Sequence, residues 1–189
     1  MGDVESLKKM LKTHSDFPKK ASGIVFLDIF PIFRDPIAAE TLITHFMHHL
    51  VAETVPQSLS KKVDVVVGLD ARGFILAPIL ALRLGAAFVP VRKKGKLPGE
   101  CVTATYEKEY GSVFYQDEFE MQADAIRPGQ TIIIVDDLIA TGGSAKAAGQ
   151  LAAKLGGKVL EYLFIIELSY LKGSQMLDAP VYSMVKEDD

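Results

Sequence analysis

Ile132-Ile-Ile-Val-Asp-Asp-Leu-Ile-Ala-Thr-Gly-Gly-Ser144 joins a continuous apolar run to two adjacent carboxylates and then to a turn of small residues. Four aliphatic residues without alternation fit a strand buried on both faces, the pattern of a parallel sheet. The small residues open a helix predicted over 144–155, with Gly156 and Gly157 as its stop signal. A strand over 159–166 follows.

The same alternation extends upstream. Residues 63–69 read Val-Asp-Val-Val-Val-Gly-Leu, a β-branched run too short for a helix. A helix is predicted over 74–84, stopped by Gly85, and a further strand over 87–91. The order β, α, β and again β, α, β predicts an α/β fold with a mostly parallel central sheet flanked by helices. Two segments depart from it. Residues 23–28, Gly-Ile-Val-Phe-Leu-Asp, form a short apolar strand ahead of the core. Residues 101–120 lack a helical stripe and break at Tyr110-Gly111, which predicts a long two-stranded excursion with a mobile tip. Such excursions are usually functional, often lids.

With 189 residues and no internal repeat or low-complexity linker, one domain is expected. The formal net charge of -3 provides no global field to attract nucleic acid, so any anion must be captured locally. A single cysteine, Cys101, cannot form an internal disulfide, and no Asn is present to accept an N-glycan. A reducing, cytoplasmic setting is expected. The longest apolar stretch, 74–82, contains Pro78 and falls far short of the ~20 residues that span a bilayer, so no membrane segment is expected. Gly2 fits a loose myristoylation pattern, but a capped first helix from residue 3 to about residue 12 is the preferred reading. His45, His49 and Glu53 share metal-like spacing on a helix predicted over 36–55. Leu42, Ile43, Phe46, Met47 and Leu50 form its apolar stripe, which assigns the histidines to the opposite, solvated face. The C-terminal Lys-Glu-Asp-Asp reads as a polar tail.

The chemistry concentrates in the quoted stretch. Thr141, Gly142, Gly143 and Ser144 can direct successive backbone N–H groups and two hydroxyls at one spot beside the positive end of a helix, which is how a phosphate is held. Asp136 and Asp137 lie at the carboxyl end of the strand, where open α/β sheets place ligands. Carboxylates repel phosphate and instead accept hydrogen bonds from hydroxyls or help hold a cation, so the ligand is expected to carry a phosphate beside a diol. Alone, either half reads as structural, a strand end or a plain N-cap turn. Together they point to a phosphorylated sugar. Arg92, Lys93, Lys94 and Lys96 crowd the loop after the next strand, and Asp70-Ala71-Arg72-Gly73 follows the strand before it. All three loops leave the same edge of a parallel sheet, which adds a second anion site suited to pyrophosphate. Neither G-x-x-x-x-G-K-[ST] nor G-x-G-x-x-G occurs, which excludes those two nucleotide motifs.

These residues resemble a known family. V-D-D-L-I-A-T-G-G-S is similar to the phosphoribosyl pyrophosphate signature of type I phosphoribosyltransferases. D-F-P at 16–18, L-D-A-R-G-F at 69–74, R-K-K-G-K-L-P-G-E at 92–100, Y-E-K-E-Y-G at 106–111 and E-L-S-Y-L-K-G at 167–173 extend the resemblance to the adenine phosphoribosyltransferases. It implies a type I phosphoribosyltransferase fold with a small N-terminal hood, about 1–35, and a flexible lid, about 99–120. It also implies a reaction: adenine and 5-phosphoribosyl 1-pyrophosphate (PRPP) give AMP and pyrophosphate with inversion at the anomeric carbon, Mg²⁺ accompanying the donor. The implied partners are these small molecules and a second copy of the chain, with no nucleic acid and no membrane.

By the resemblance, Asp136 and Asp137 bind the ribose hydroxyls, and Ala140, Thr141, Gly142, Gly143 and Ser144 the 5′-phosphate. Asp70, Ala71 and Arg72 meet pyrophosphate and metal, with the Asp70–Ala71 bond expected cis. Arg92, Lys93 and Lys96 complete the pyrophosphate pocket, in this family often across a dimer interface. Glu109 handles the proton that adenine loses, and Tyr110 belongs to the same lid. Val25, Phe26, Leu27 and Leu168 match positions that sandwich the base. Leu27 stands where many members carry arginine, which leaves it main-chain contacts only, and Ser144 keeps the hydroxyl of a frequent threonine. Hypoxanthine and guanine enzymes place an acid where this chain has Ala140, which favours a 6-aminopurine. The readings weighed against it are a transferase for another purine (hypoxanthine, guanine or xanthine) and a non-catalytic PRPP-sensing regulator, for which no helix-turn-helix module is found.

Overall fold

The computed structural model describes residues 2–14, 26–110 and 113–188. Val25 and the D-F-P segment lie outside the described residues. Helix α1 (Gly2–Met10) leads into strand β1 (Lys12–His14), which pairs antiparallel with β2 (Phe26–Asp28). One turn of helix, α2 (Phe30–Phe33), precedes α3 (Pro36–His49). The Asp35 carboxylate caps α3 by accepting from Ile37 N at 2.9 Å and Ala38 N at 3.3 Å, and Pro36 occupies a position where no N–H is needed. A π turn, Leu50–Thr54, carries α3 into the short α4 (Val55–Gln57).

The alternating core then runs β3 (Val65–Leu69), α5 (Gly73–Leu84), β4 (Ala87–Lys93), β5 (Cys101–Tyr110), β6 (Val113–Gln122), β7 (Thr131–Ile139), α6 (Gly143–Lys154), β8 (Lys158–Leu168) and β9 (Val181–Glu187). These strands form a seven-stranded sheet in the order β5-β6-β4-β3-β7-β8-β9. Neighbours from β4 through β9 pair in parallel, whereas β6 joins β4 antiparallel and β5 joins β6 antiparallel. The expected α/β fold with a two-stranded excursion is present.

Side-chain alternation along β3 explains the layers. Val66 enters a core with Leu42, Phe46, Leu76 and Leu80 of α3 and α5, while Val65, Val67 and Leu69 enter a second core with Ala148 and Leu151 of α6 and Met121 of β6. Both faces are covered, which is why the strand sequence is apolar throughout. The order β4-β3-β7 brings the loops after these three parallel strands side by side at one edge.

Four local expectations are corrected. Strand β4 runs on through Lys93, because β6 pairs with its end, so Arg92 and Lys93 lie in the strand and only Lys94 and Lys96 in the loop after it. Strand β7 runs on through Ile139, so Asp136 and Asp137 lie inside it, because β8 continues to pair as far as Glu167 opposite Ile139. The C-terminus is not simply a polar tail: Lys186 and Glu187 belong to β9, where Lys186 approaches Glu167 at 3.5 Å and Glu187 pairs with Lys8 at 3.0 Å. His45 and His49 are not on a solvated face. His45 Nε2 lies 2.6 Å from the Tyr182 hydroxyl, His49 Nε2 lies 3.0 Å from both Glu161 oxygens, and the His49 ring stacks on Tyr182 at 3.6 Å. Tyr182 and Glu161 from β9 and β8 supply polar partners that the aliphatic stripe of α3 did not reveal. His48 is exposed.

Candidate active site

A cavity of about 330 Å³ opens at the edge where β3, β4 and β7 end, lined by Asp70, Arg72, Lys93, Asp136, Asp137 and the turn 140–144 among others. At its floor, α6 starts from Gly142, whose φ of +84° only glycine adopts without strain. The first backbone hydrogen bond of that helix runs from Lys146 N to Gly142 O at 2.9 Å. The amides of Gly143, Ser144 and Ala145 precede it and have no intrahelical acceptor, leaving them available to an anion. The turn rests on Gly173, where a Cβ would lie 2.7 Å from Gly142 N and would overlap the Ala140 carbonyl. Any larger residue there would displace the turn.

The two carboxylates differ in their surroundings. Asp137 is 1% exposed and its Oδ2 pairs with Arg72 Nη1 at 2.8 Å, close in distance but not aligned as a hydrogen bond. Asp136 opens onto the cavity and accepts from Asp137 N at 2.9 Å. Enclosure by protein on its other sides, then the neighbouring Asp137 charge, push the Asp136 carboxyl well above its ordinary pKa. Burial also raises that of Asp137, opposed by Arg72. An added cation or donated hydroxyl would relieve both groups.

The cations come from the turn after β3 and from the end of β4. The Asp70–Ala71 peptide is cis, as expected. Arg92 Nε donates to Asp70 Oδ2 at 2.8 Å and its Nη1 to the Lys96 carbonyl at 3.2 Å. Lys93 lines the cavity and pairs with Asp117 at 2.9 Å. The Arg72 guanidinium lies 5.5 Å from the centre of the Phe26 ring, within cation–π range, and so reaches from the cation side to the N-terminal segment.

Of the residues singled out from sequence, Asp70, Arg72, Lys93, Asp136, Asp137, Ala140, Thr141, Gly142, Gly143 and Ser144 share this one cavity. Arg92 and Lys96 stand behind it, joined to its wall through Asp70 and through each other. Leu27 and Leu168 are buried in the core beside α3, and Phe26 is half-buried under Arg72. Glu109 and Tyr110 end β5 on the hairpin, where Glu109 pairs with Phe114 and Tyr110 with Val113. Sequence reasoning missed Tyr106 and Phe119, which stack at 4.5 Å in the cavity wall, and Asp117 and Glu120, which hold the basic loop. The available signal for the latter was an acidic D-E-F-E run one hairpin away from R-K-K-G-K.

Residues 38–188 match the phosphoribosyl transferase domain family. The adenine phosphoribosyltransferase of Yarrowia lipolytica is 56% identical over 179 residues, covering 95% of this chain and 93% of the relative. Adenine phosphoribosyltransferase 1 of Saccharomyces cerevisiae is 52% identical over 182 residues, 96% of this chain and 92% of the relative. A crystal structure of the Saccharomyces cerevisiae enzyme, complexed with D-2,5-dideoxy-2,5-imino-altritol 1,6-bisphosphate and adenine, superposes with a TM-score of 0.89 at 50% identity over 97% of this chain and 99% of that one. With likenesses that span nearly its whole length, the chain belongs to the adenine phosphoribosyltransferase family of type I phosphoribosyltransferases.

Proposed function

We propose that the chain joins adenine to PRPP in this cavity, releasing AMP and pyrophosphate. The observation that carries the reading is the meeting, in one space of about 330 Å³, of an amide cradle, two carboxylates and a set of cations. The turn 140–144 holds the 5′-phosphate, Asp136 and Asp137 accept from the ribose hydroxyls, and Asp70, Ala71, Arg72, Arg92, Lys93 and Lys96 bind pyrophosphate. As the C1′–O bond to pyrophosphate breaks, positive charge develops on the sugar ring and negative charge on the leaving group, so cations at that end lower the barrier. The adenine ring nitrogen forms the new bond at C1′ from the opposite face, and its proton passes to Glu109.

The donor set fits a cation carried by the substrate. Among the described residues no group of three metal-ligating side chains converges, yet Asp70 and Asp136 face the same cavity, and one or two carboxylates plus phosphate oxygens suffice for Mg²⁺. When bound, Mg²⁺ supplies charge neutralisation on the pyrophosphate. Val25, Phe26, Leu27 and Leu168 form the adenine pocket, Leu27 through its main chain. Residues 1–35 act as a hood over the base and 99–120 as a lid carrying Glu109 and Tyr110. Closure of that lid excludes water that would otherwise hydrolyse the donor. All of this lies within one phosphoribosyltransferase domain that works in the cytoplasm as a homodimer. Exposed Ile79 and Leu82, one turn apart on α5, and Phe88 on β4 supply the apolar surface for pairing.

Incubation with PRPP, Mg²⁺ and each purine in turn, with assay of AMP, IMP and GMP, tests the reading. AMP is the expected product. Activity with hypoxanthine alone would overturn the adenine assignment, and PRPP binding without transfer to any purine would favour a sensor.

A further inference from the structure

The end of β4 and the loop that follows it concentrate Arg92, Lys93, Lys94 and Lys96 in five positions, and such a run repels itself. Strand β6 lies antiparallel to the end of β4, with Glu120 opposite Arg92 and Phe119 opposite Lys93. Its acids meet the loop one by one. Asp117 pairs with Lys93 at 2.9 Å and Glu118 with Lys94 at 2.7 Å, both between partly exposed side chains where water and salt screen the attraction. Glu120 differs in kind. It is 5% exposed, and its Oε1 accepts from two successive main-chain amides, Lys96 N and Leu97 N, each at 2.7 Å. A buried carboxylate persists only where such bonds compensate its lost hydration. The far side of the loop is held at the Lys96 carbonyl by Arg92, which also grips Asp70. Glu120, the loop, Arg92 and Asp70 thus form one continuous chain of charge-assisted bonds, from the lid strand to the turn after β3.

We infer that Glu120 is a positioning residue for pyrophosphate recognition: it fixes the backbone of the 93–97 turn, and through it the placement of Lys93, Lys96 and the Arg92–Asp70 pair. The inference rests on the reading of residues 92–96 as pyrophosphate ligands. Glu120 itself touches no substrate and moves no proton.

Glu120→Ala removes both the acceptor and the charge, whereas Glu120→Gln keeps an acceptor oxygen and the shape. Misplacement of binding groups by about 1 Å costs up to roughly 10²-fold, so Glu120→Ala is expected to raise KM for PRPP, and Kd for Mg²⁺-pyrophosphate measured in the presence of AMP, by roughly 10- to 100-fold. The Gln variant takes an intermediate place. KM for adenine and Kd for AMP alone stay within about twofold, since the bonds of Glu120 run to the amides of Lys96 and Leu97 and not to the turn 140–144, whereas kcat falls as well because the same cations neutralise the leaving group. Should Glu120→Ala fail to fold, the Gln variant carries the test through the same split between pyrophosphate and AMP. An unchanged KM for PRPP, or equal losses for AMP and pyrophosphate, would overturn the positioning role. A wild-type chain that binds AMP yet takes up neither PRPP nor pyrophosphate would instead overturn the reading of the loop, and the inference with it.

Discussion

Burial and the adjacent Asp137 charge both hold the Asp136 carboxyl well above its ordinary pKa, so ionised Asp136 destabilises the ligand-free fold. An acid with a raised folded-state pKa contributes its stability below the unfolded value and loses it as pH rises through the folded value. Asp136→Asn keeps the oxygen that accepts from Asp137 N at 2.9 Å and removes the charge. For a chain of this size each kcal/mol of relief raises Tm by about 2–4 °C. The expected result is a Tm higher than wild type at pH 7, with the difference vanishing below about pH 4, where the native acid is protonated in both states. Calorimetric scans across pH check it, and a variant less stable at pH 7 would refute the argument. The same change removes one oxygen of the acceptor proposed for a ribose hydroxyl and should lower kcat/KM for PRPP about 10- to 100-fold. Glu109 calls for the opposite test, because the role proposed for it is in the chemical step. Glu109→Gln is expected to lower kcat roughly 10²- to 10⁴-fold with KM values little changed. A loss under about threefold in steady-state assays would remove Glu109 from the mechanism.

At the scale of elements, the phosphate turn is shaped from below as much as by its own sequence. A methyl group at Gly173 would press on backbone atoms of Ala140, Thr141 and Gly142, none of which can rotate away. Gly173→Ala should therefore weaken AMP binding and cut kcat/KM for PRPP by roughly 10²-fold, while over-packing costs about 1–3 kcal/mol of stability. Titration calorimetry with AMP alone isolates the effect on the turn, and an affinity within twofold of wild type would show that the turn tolerates the shift. That contact was not legible in the sequence, since residues 142 and 173 meet only through the packing of α6 against the segment after β8. What was legible is local. The apolar run 132–135 marked β7, the Gly-rich stops bounded α5 and α6, and the V-D-D and T-G-G-S halves meet in one cavity. What was not legible depends on pairing between distant strands: the extension of β7 along β8, the edge strand β9, the partners of His45 and His49, and Glu120 beneath the basic loop. Periodicity reports which face of one element is apolar and is silent on which polar group another element brings to it.

Over the whole molecule, the sheet carries its chemistry on one edge and leaves apolar surface on α5 and β4. Leu82 is 82% exposed, Ile79 40% and Phe88 36%, and Phe88 meets Phe74 edge-on at 5.7 Å. A standard pairing of two chains covers about 800 Å² on each, which is under a tenth of the 10153 Å² that this chain exposes. The flank of α5 and β4 adjoins both segments assigned to pyrophosphate, Asp70-Ala71-Arg72 before α5 and the basic run that begins at the end of β4. Pairing through it would order those loops at the same time as it buries the apolar side chains. In the proposed dimer paired through this flank, Leu82→Glu would insert a charge into the buried contact, a substitution that costs several kcal/mol if the carboxylate stays buried. Sedimentation equilibrium should then find wild type as a dimer and Leu82→Glu as a monomer with an unchanged far-ultraviolet spectrum. The monomer should also have a raised KM for PRPP. A wild-type chain that sediments as a monomer with full activity would exclude pairing as part of the working enzyme, and a dimeric Leu82→Glu variant would move the interface away from α5.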